Sequence, residues 1–142
     1  MEKHEIELRV IVIEPLSGVA MKVQRGKDEL LPPSKVTASG IEFEFTVFAD
    51  LTGDRPNFLG KYAQGPRGAR FIYVNSGLYA AQPDTGWDRR AKISLMNITQ
   101  DQIEDVISRP HGVLETSFDG VGRDGGPTCA SVKGIEWKVS DK

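Results

Sequence analysis

Hydrophobic and polar residues alternate along this chain with the two-residue period of half-buried strands. Ile6, Leu8, Val10 and Val12 fall on one side of the first segment and Glu5, Glu7 and Arg9 on the other; Ile11 and Ile13 then make both sides apolar. This predicts a strand that starts at an exposed margin and runs into a covered region. Val19, Met21 and Val23 alternate again after Glu14-Pro15-Leu16-Ser17-Gly18. Proline presets φ and glycine permits positive φ in such a turn, so residues 4–24 predict a hairpin. The cleanest alternation sets Ile41, Phe43, Phe45 and Val47 against Glu42, Glu44 and Thr46. Phe71-Ile72-Tyr73-Val74 is an unbroken run of β-formers, the pattern of a strand covered on both faces. Residues 89–96 place Ile93 and Leu95 opposite Ser94 and Met96, and strands are also predicted at residues 113–118 and, with Trp137, within 128–139.

The intervals read differently. Pro32-Pro33 cannot supply ladder donors in a central strand, so residues 25–40 predict a loop or a sheet edge. Residues 50–70 predict a long ordered loop pinned by Phe58, Leu59 and Tyr62, and residues 119–127 a glycine-rich one. One helix is predicted over about residues 99–109. Thr99 and Gln102 have the spacing of a capping box, in which each side chain satisfies an orphan backbone N–H. Ile103, Val106 and Ile107 form an apolar stripe, Asp101, Glu104 and Asp105 suit the positive end of the helix, and Pro110 and Gly112 stop it. Seven or eight strands, one helix and no alternation of strand with helix predict a mainly β fold. The expected form is an antiparallel β-sandwich or small open barrel, as a single domain over residues 1–142. A chain of this length buries roughly two thirds of its unfolded surface and needs no disulfide or metal to hold it together.

Charge changes the picture. The total is −2, but residues 61–92 carry Lys61, Arg67, Arg70, Arg89, Arg90 and Lys92 against only Asp84 and Asp88. Cations exceed carboxylates by four there and fall three short of them on each flank. A sequence pI near 5.7 argues against a generic nucleic-acid binder and leaves room only for a local cationic patch. The start of the chain is not that of a secretory signal, no apolar run is long enough to span a membrane, and the one cysteine, Cys129, cannot form an internal disulfide. Together these features predict a cytoplasmic protein with no membrane partner.

The central segment holds the candidate chemistry. In Gln64-Gly65-Pro66-Arg67-Gly68-Ala69-Arg70 the glycines let backbone N–H groups approach an anion, and the guanidinium forks suit carboxylate or phosphate. Arg89-Arg90-Ala91-Lys92 opens a strand, so Arg90 and Lys92 share a face and Arg89 points opposite. Trp87 can stack a ring or sugar beside them, and Asn75 can present an amide. Arg123, in a second glycine-rich stretch, can approach the same ligand. The simplest alternative is that the cations form solvated ion pairs with Glu42, Glu44, Asp84 and Asp88, which are individually weak.

Other chemistries have less in their favour. Gly120-Val121-Gly122-Arg123-Asp124-Gly125-Gly126 is not followed by a helix, so the dinucleotide reading fails. His4 and His111 lack ligand-spaced neighbours, and Asp50 and Asp54 are too loosely placed for a calcium loop. No cofactor or metal is expected. Cys129, in a strand, reads as inert.

Four stretches recur as a set: residues 23–33, ending in Leu31-Pro32-Pro33; residues 63–74, with Gly65-Pro66-Arg67-Gly68-Ala69-Arg70; residues 87–92, Trp87-Asp88-Arg89-Arg90-Ala91-Lys92; and residues 123–130, with Gly125-Gly126-Pro127-Thr128-Cys129. Their order and spacing resemble a family of small bacterial proteins known only as a domain of unknown function. That resemblance implies a compact bacterial single-domain protein and brings no activity, ligand or catalytic residue with it.

The favoured expectation is a non-catalytic domain that binds a small or peptide-borne anion through Gln64, Arg67, Arg70, Asn75, Trp87, Arg90, Lys92 and Arg123. The alternative is a protein-interaction module, with an acidic protein partner or a homodimer. An enzyme acting on an anionic substrate, with Asp88 or Asp124 as base, ranks third because no base has an evident cause for a shifted pKa.

Overall fold

The computed structural model describes residues 3–13, 20–24, 30–51, 56–59, 71–77, 89–119, 129–132 and 134–142. Within them lie eleven strands and one helix, arranged as two sheets. The first sheet contains β1 (Lys3–Ile13), β4 (Lys35–Val36), β5 (Gly40–Asp50), β6 (Asn57–Leu59), β9 (Gly112–Asp119) and β11 (Lys138–Asp141). The second contains β2 (Ala20–Gln24), β3 (Leu30–Leu31), β7 (Phe71–Gly77), β8 (Arg89–Ser94) and β10 (Cys129–Ser131). The helix α1 spans Gln100–Ser108. Strand order is β11-β9-β1-β5-β4 in the first sheet, with β6 also on β5, and β10-β8-β7-β2-β3 in the second. Seven strands have four residues or more, which matches the expected number. The fold is mainly β, a sandwich with no closed barrel among the described residues. Most pairings are antiparallel; β1 with β9 and β8 with β10 are parallel.

The alternation seen in the sequence is what joins the sheets. Ile6, Leu8, Val10 and Val12 of β1 and Phe43, Phe45, Val47 and Ala49 of β5 are buried, and so are Val23, Ile72, Val74, Ala91 and Ile93 from the second sheet. All belong to one cluster, which is the contact between the layers. At about 25 cal/mol for each Å² of apolar surface removed from water, this cluster is the main force holding the layers together.

The helix forms as expected. Gln102 N–H donates to Thr99 Oγ1 at 3.1 Å, and Thr99 N–H donates to Gln102 Oε1 at 2.9 Å. Ile103 and Val106 enter the core, whereas Ile107 is 42% exposed. The same glutamine also ties the helix to the chain entering β11, its Nε2 donating to the Trp137 carbonyl at 2.8 Å. The Trp137 indole N–H reaches across to the Ser94 carbonyl at 3.1 Å, linking that chain to the end of β8.

Three expectations need correction. Residues 4–24 are not a hairpin: β1 pairs with β5 over eleven residues and with β9, while β2 lies in the other sheet beside β7 and β3. Alternation defines which side of a strand is apolar but not its partner. The apolar faces of β1 and β5 bury most by lying side by side over their full lengths. The end of β1 is not covered on both faces either; Ile13 is 39% exposed. Nor is β7 fully covered, since Phe71 and Tyr73 are only half-buried while Ile72 and Val74 are buried. The 25–40 interval supplies two short edge strands, β3 and β4, as its prolines require. In the 50–70 interval, β6 pairs with β5 in a register that includes Leu59 and buries Phe58; Tyr62 lies outside the described residues.

Candidate anion-binding face

On β8, Ala91 and Ile93 are turned into the core. A strand alternates sides, so positions 90, 92 and 94 belong to the opposite, outer face. The same logic applied to β7, where Ile72 and Val74 are buried, puts positions 71, 73 and 75 on that face. On β2, buried Val23 leaves positions 22 and 24 there.

The registers align these positions into rows across the sheet. Lys22 pairs with Asn75, Asn75 with Arg90, and Arg90 with Cys129. In the next row Leu30 pairs with Gln24, Gln24 with Tyr73, Tyr73 with Lys92, and Lys92 with Ser131. Asn75, Arg90 and Lys92 were all expected from sequence, and the sheet brings them together. Arg89 has the opposite parity, as expected. Gln64, Arg67, Arg70, Trp87 and Arg123 lie outside the described residues.

Lys22 and Tyr73 were not expected at the site. Their signal was present as the polar position between Met21 and Val23 and the alternate position in the 71–74 run. The long-range pairing of β2 with β7 joins Lys22 to Asn75, and the pairing of β7 with β8 joins Tyr73 to Lys92.

The five strands of this sheet carry Lys22, Arg89, Arg90 and Lys92 and no Asp or Glu. The Lys92 ammonium lies 3.8 Å from the centroid of the Phe71 ring. This cation–π contact holds the charge over the sheet and leaves its electrostatic demand only partly met.

Among the described strands, the carboxylates are on the other layer. The strands of the first sheet contain eight acidic residues and four of Lys or Arg. Arg9 donates from Nε to Glu44 at 2.7 Å and from Nη1 to Glu115 at 2.7 Å. Lys138 is 3.4 Å from Glu115. Thr46 donates to Glu7 at 2.7 Å, and Lys142 lies 3.6 Å from Glu7.

Partial burial would raise the Glu115 pKa, but hydrogen bonds from Arg9 and Lys138, with their charges, bring it below the ordinary glutamate value. For Arg9, burial works downward and the two carboxylates outweigh it, so its pKa rises. Glu42 pairs in register with Lys35 and Ile11, also in the first sheet. Neither Glu42 nor Glu44 therefore neutralises Lys92; the core separates them. Asp84 and Asp88 lie outside the described residues.

Among the described residues, two hollows open on the first layer. One, of about 280 Å³, lies between α1 and β1 and is lined by His4, Glu5, Glu7 and Arg109. The other, of about 310 Å³, lies beside β9 and is lined by Glu115, Ser117, Glu136 and Lys138. Neither adjoins the cationic rows. Among the described residues no group of His, Cys, Asp and Glu could hold a metal ion, and no helix is long and apolar enough to cross a membrane.

The fold and this face define a two-layer β-sandwich whose sheets differ in charge. The chain belongs to a family of unknown function, DUF5990, whose model matches residues 6–140. No curated protein and no solved structure matches it.

Proposed function

We propose that this protein is a non-catalytic binding domain for a small or peptide-borne anion, and that the outer face of the second sheet is where it binds. The observation that carries the reading is the charge of that sheet: three cations in two adjacent rows, no carboxylate in any of its strands, and Glu44 committed to Arg9 on the far layer. Cations grouped on strands that carry no carboxylate raise the local concentration of an anion and meet it with charge-assisted hydrogen bonds. Asn75, between Lys22 and Arg90 in register, adds an amide position to the row. The setting we propose is the bacterial cytoplasm; the single cysteine supports a reducing compartment.

The test is thermal unfolding with inorganic phosphate, sulfate and small carboxylates at low and high salt. A ligand at a hundred times its Kd adds about 2.7 kcal/mol of stability. Stabilisation that fades with salt and is lost in an Arg90→Gln/Lys92→Gln variant supports the face. Equal stabilisation of that variant rejects it.

A second reading, an interaction module that associates with its own copies, draws on the opposite charges of the two layers. It predicts a salt-sensitive dimer or larger species in light scattering; a monomer at high concentration and low salt removes it.

A further inference from the structure

We infer that the gap between β9 and the chain entering β11 is a docking site for an extended peptide that carries a basic residue. β9 has β1 along one side as far as Asp119, but on its other side β11 reaches only to Glu115. Bonded pairs recur at every second residue of an antiparallel ladder. The Lys142 N–H donates to the His111 carbonyl at 2.9 Å, so in this register the backbone groups of His111, Val113 and Glu115 face β11. Ser117 is next in that series, and its rung is missing. The register would set Glu136 opposite it; instead both residues line the hollow of about 310 Å³, and no described strand pairs with β9 there. The carbonyls of Ile135 and Trp137 accept from Asn97 Nδ2 and Gln102 Nε2, each at 2.8 Å. These bonds tie the segment to α1 and to the chain after β8, so the rung stays open.

An N–H and C=O left open on a sheet edge are a template for an added strand, whose main-chain bonds give affinity and whose side chains give specificity. Thr116 lines the same hollow with a buried Oγ1 that has no partner among the described residues, a second unmet polar group at this wall. The charges choose the side chain. Strand parity puts the residue opposite Ser117 on the outer face, the side of Glu115. Glu115 is already engaged by Arg9 and Lys138. Glu136 is exposed and makes no ion pair among the described residues. A Lys or Arg on the added strand supplies its counter-charge.

The experiment is NMR titration of the intact protein with the blocked peptide acetyl-Thr-Val-Lys-Val-Thr-amide, with its glutamate counterpart, and with a form N-methylated on the backbone nitrogen of its lysine. The lysine peptide is expected to bind saturably, to shift the Ser117 amide resonance and to slow its hydrogen exchange. N-methylation removes a ladder bond and should weaken binding about tenfold. The glutamate peptide should bind about fivefold more weakly than the lysine peptide, and Glu136→Gln should bring the two within about twofold of each other. No binding of the lysine peptide, or binding that leaves the Ser117 amide unmoved, would overturn the inference. Equal binding of the N-methylated form would overturn it by showing charge attraction without an added strand, and equal binding of the glutamate peptide would remove the basic residue. A Ser117 shift that grows with protein concentration in the absence of peptide would overturn it in favour of a second copy on the same edge.

Discussion

Thr116 is the residue at which physical chemistry and the fold disagree most. It sits on the core side of β9, paired with Val10, and is 2% exposed. Its Oγ1 has no hydrogen-bond partner among the described residues. A buried hydroxyl without a partner costs roughly 1–3 kcal/mol relative to one left in water. Thr116→Val keeps the shape and removes the cost, so it should stabilise the protein by about 1 kcal/mol, read as a rise of about 3 °C in Tm. A fall in Tm would mean that the hydroxyl has a partner.

Glu115 gives the converse case. Its pKa is lower in the folded chain than in the unfolded one, so its contribution to stability is present above the unfolded value and is lost as pH falls through the folded value. Glu115→Gln should therefore cost about 1–2 kcal/mol at pH 7, between typical exposed and buried ion pairs. The difference from the parent should shrink below about pH 4.5, as followed by urea unfolding across pH.

At the scale of elements, α1 and β9 meet closely at Gly112. A Cβ added at Gly112 would run into the Val106 carbonyl oxygen, a backbone atom that can yield only if the helix moves. Gly112→Ala should destabilise by about 1–3 kcal/mol and loosen the helix against β9, seen as faster amide exchange in both. Unchanged stability would show that the helix has room to shift.

The helix was legible in the sequence almost residue for residue. Its start depends on the chemistry of Thr99 and Gln102 and its inner face on a local period. The strands were legible as strands for the same reason: burial of one side prints itself every second residue. Their partners were not. The reading of residues 4–24 as a hairpin failed because pairing of β1 with β5, or of β2 with β7, is decided by which apolar faces bury most together across the whole chain. The candidate site was half legible on the same grounds. The adjacency of Arg90 and Lys92 follows from spacing along β8. Lys22 belongs beside them only through a register that spans some fifty residues of sequence, and Tyr73 through the pairing of β7 with β8.

For the whole molecule, the charges of the described strands sort into layers. A chain that reads acidic, basic, acidic along its length becomes a sandwich with carboxylates concentrated in one sheet and none in the strands of the other. Within the acidic layer Arg9, Lys138 and Lys142 are each engaged by Glu44, Glu115 or Glu7. In the cationic layer Lys92 rests on a ring. That asymmetry is the central claim. Its most direct measurement is isothermal titration of inorganic phosphate into the protein and into the Lys22→Gln/Arg90→Gln/Lys92→Gln variant, at low and high salt. The cationic face predicts saturable binding to the parent at low salt that weakens as salt rises and disappears in the variant. Phosphate binding of equal strength in the variant, or none in the parent, would contradict it.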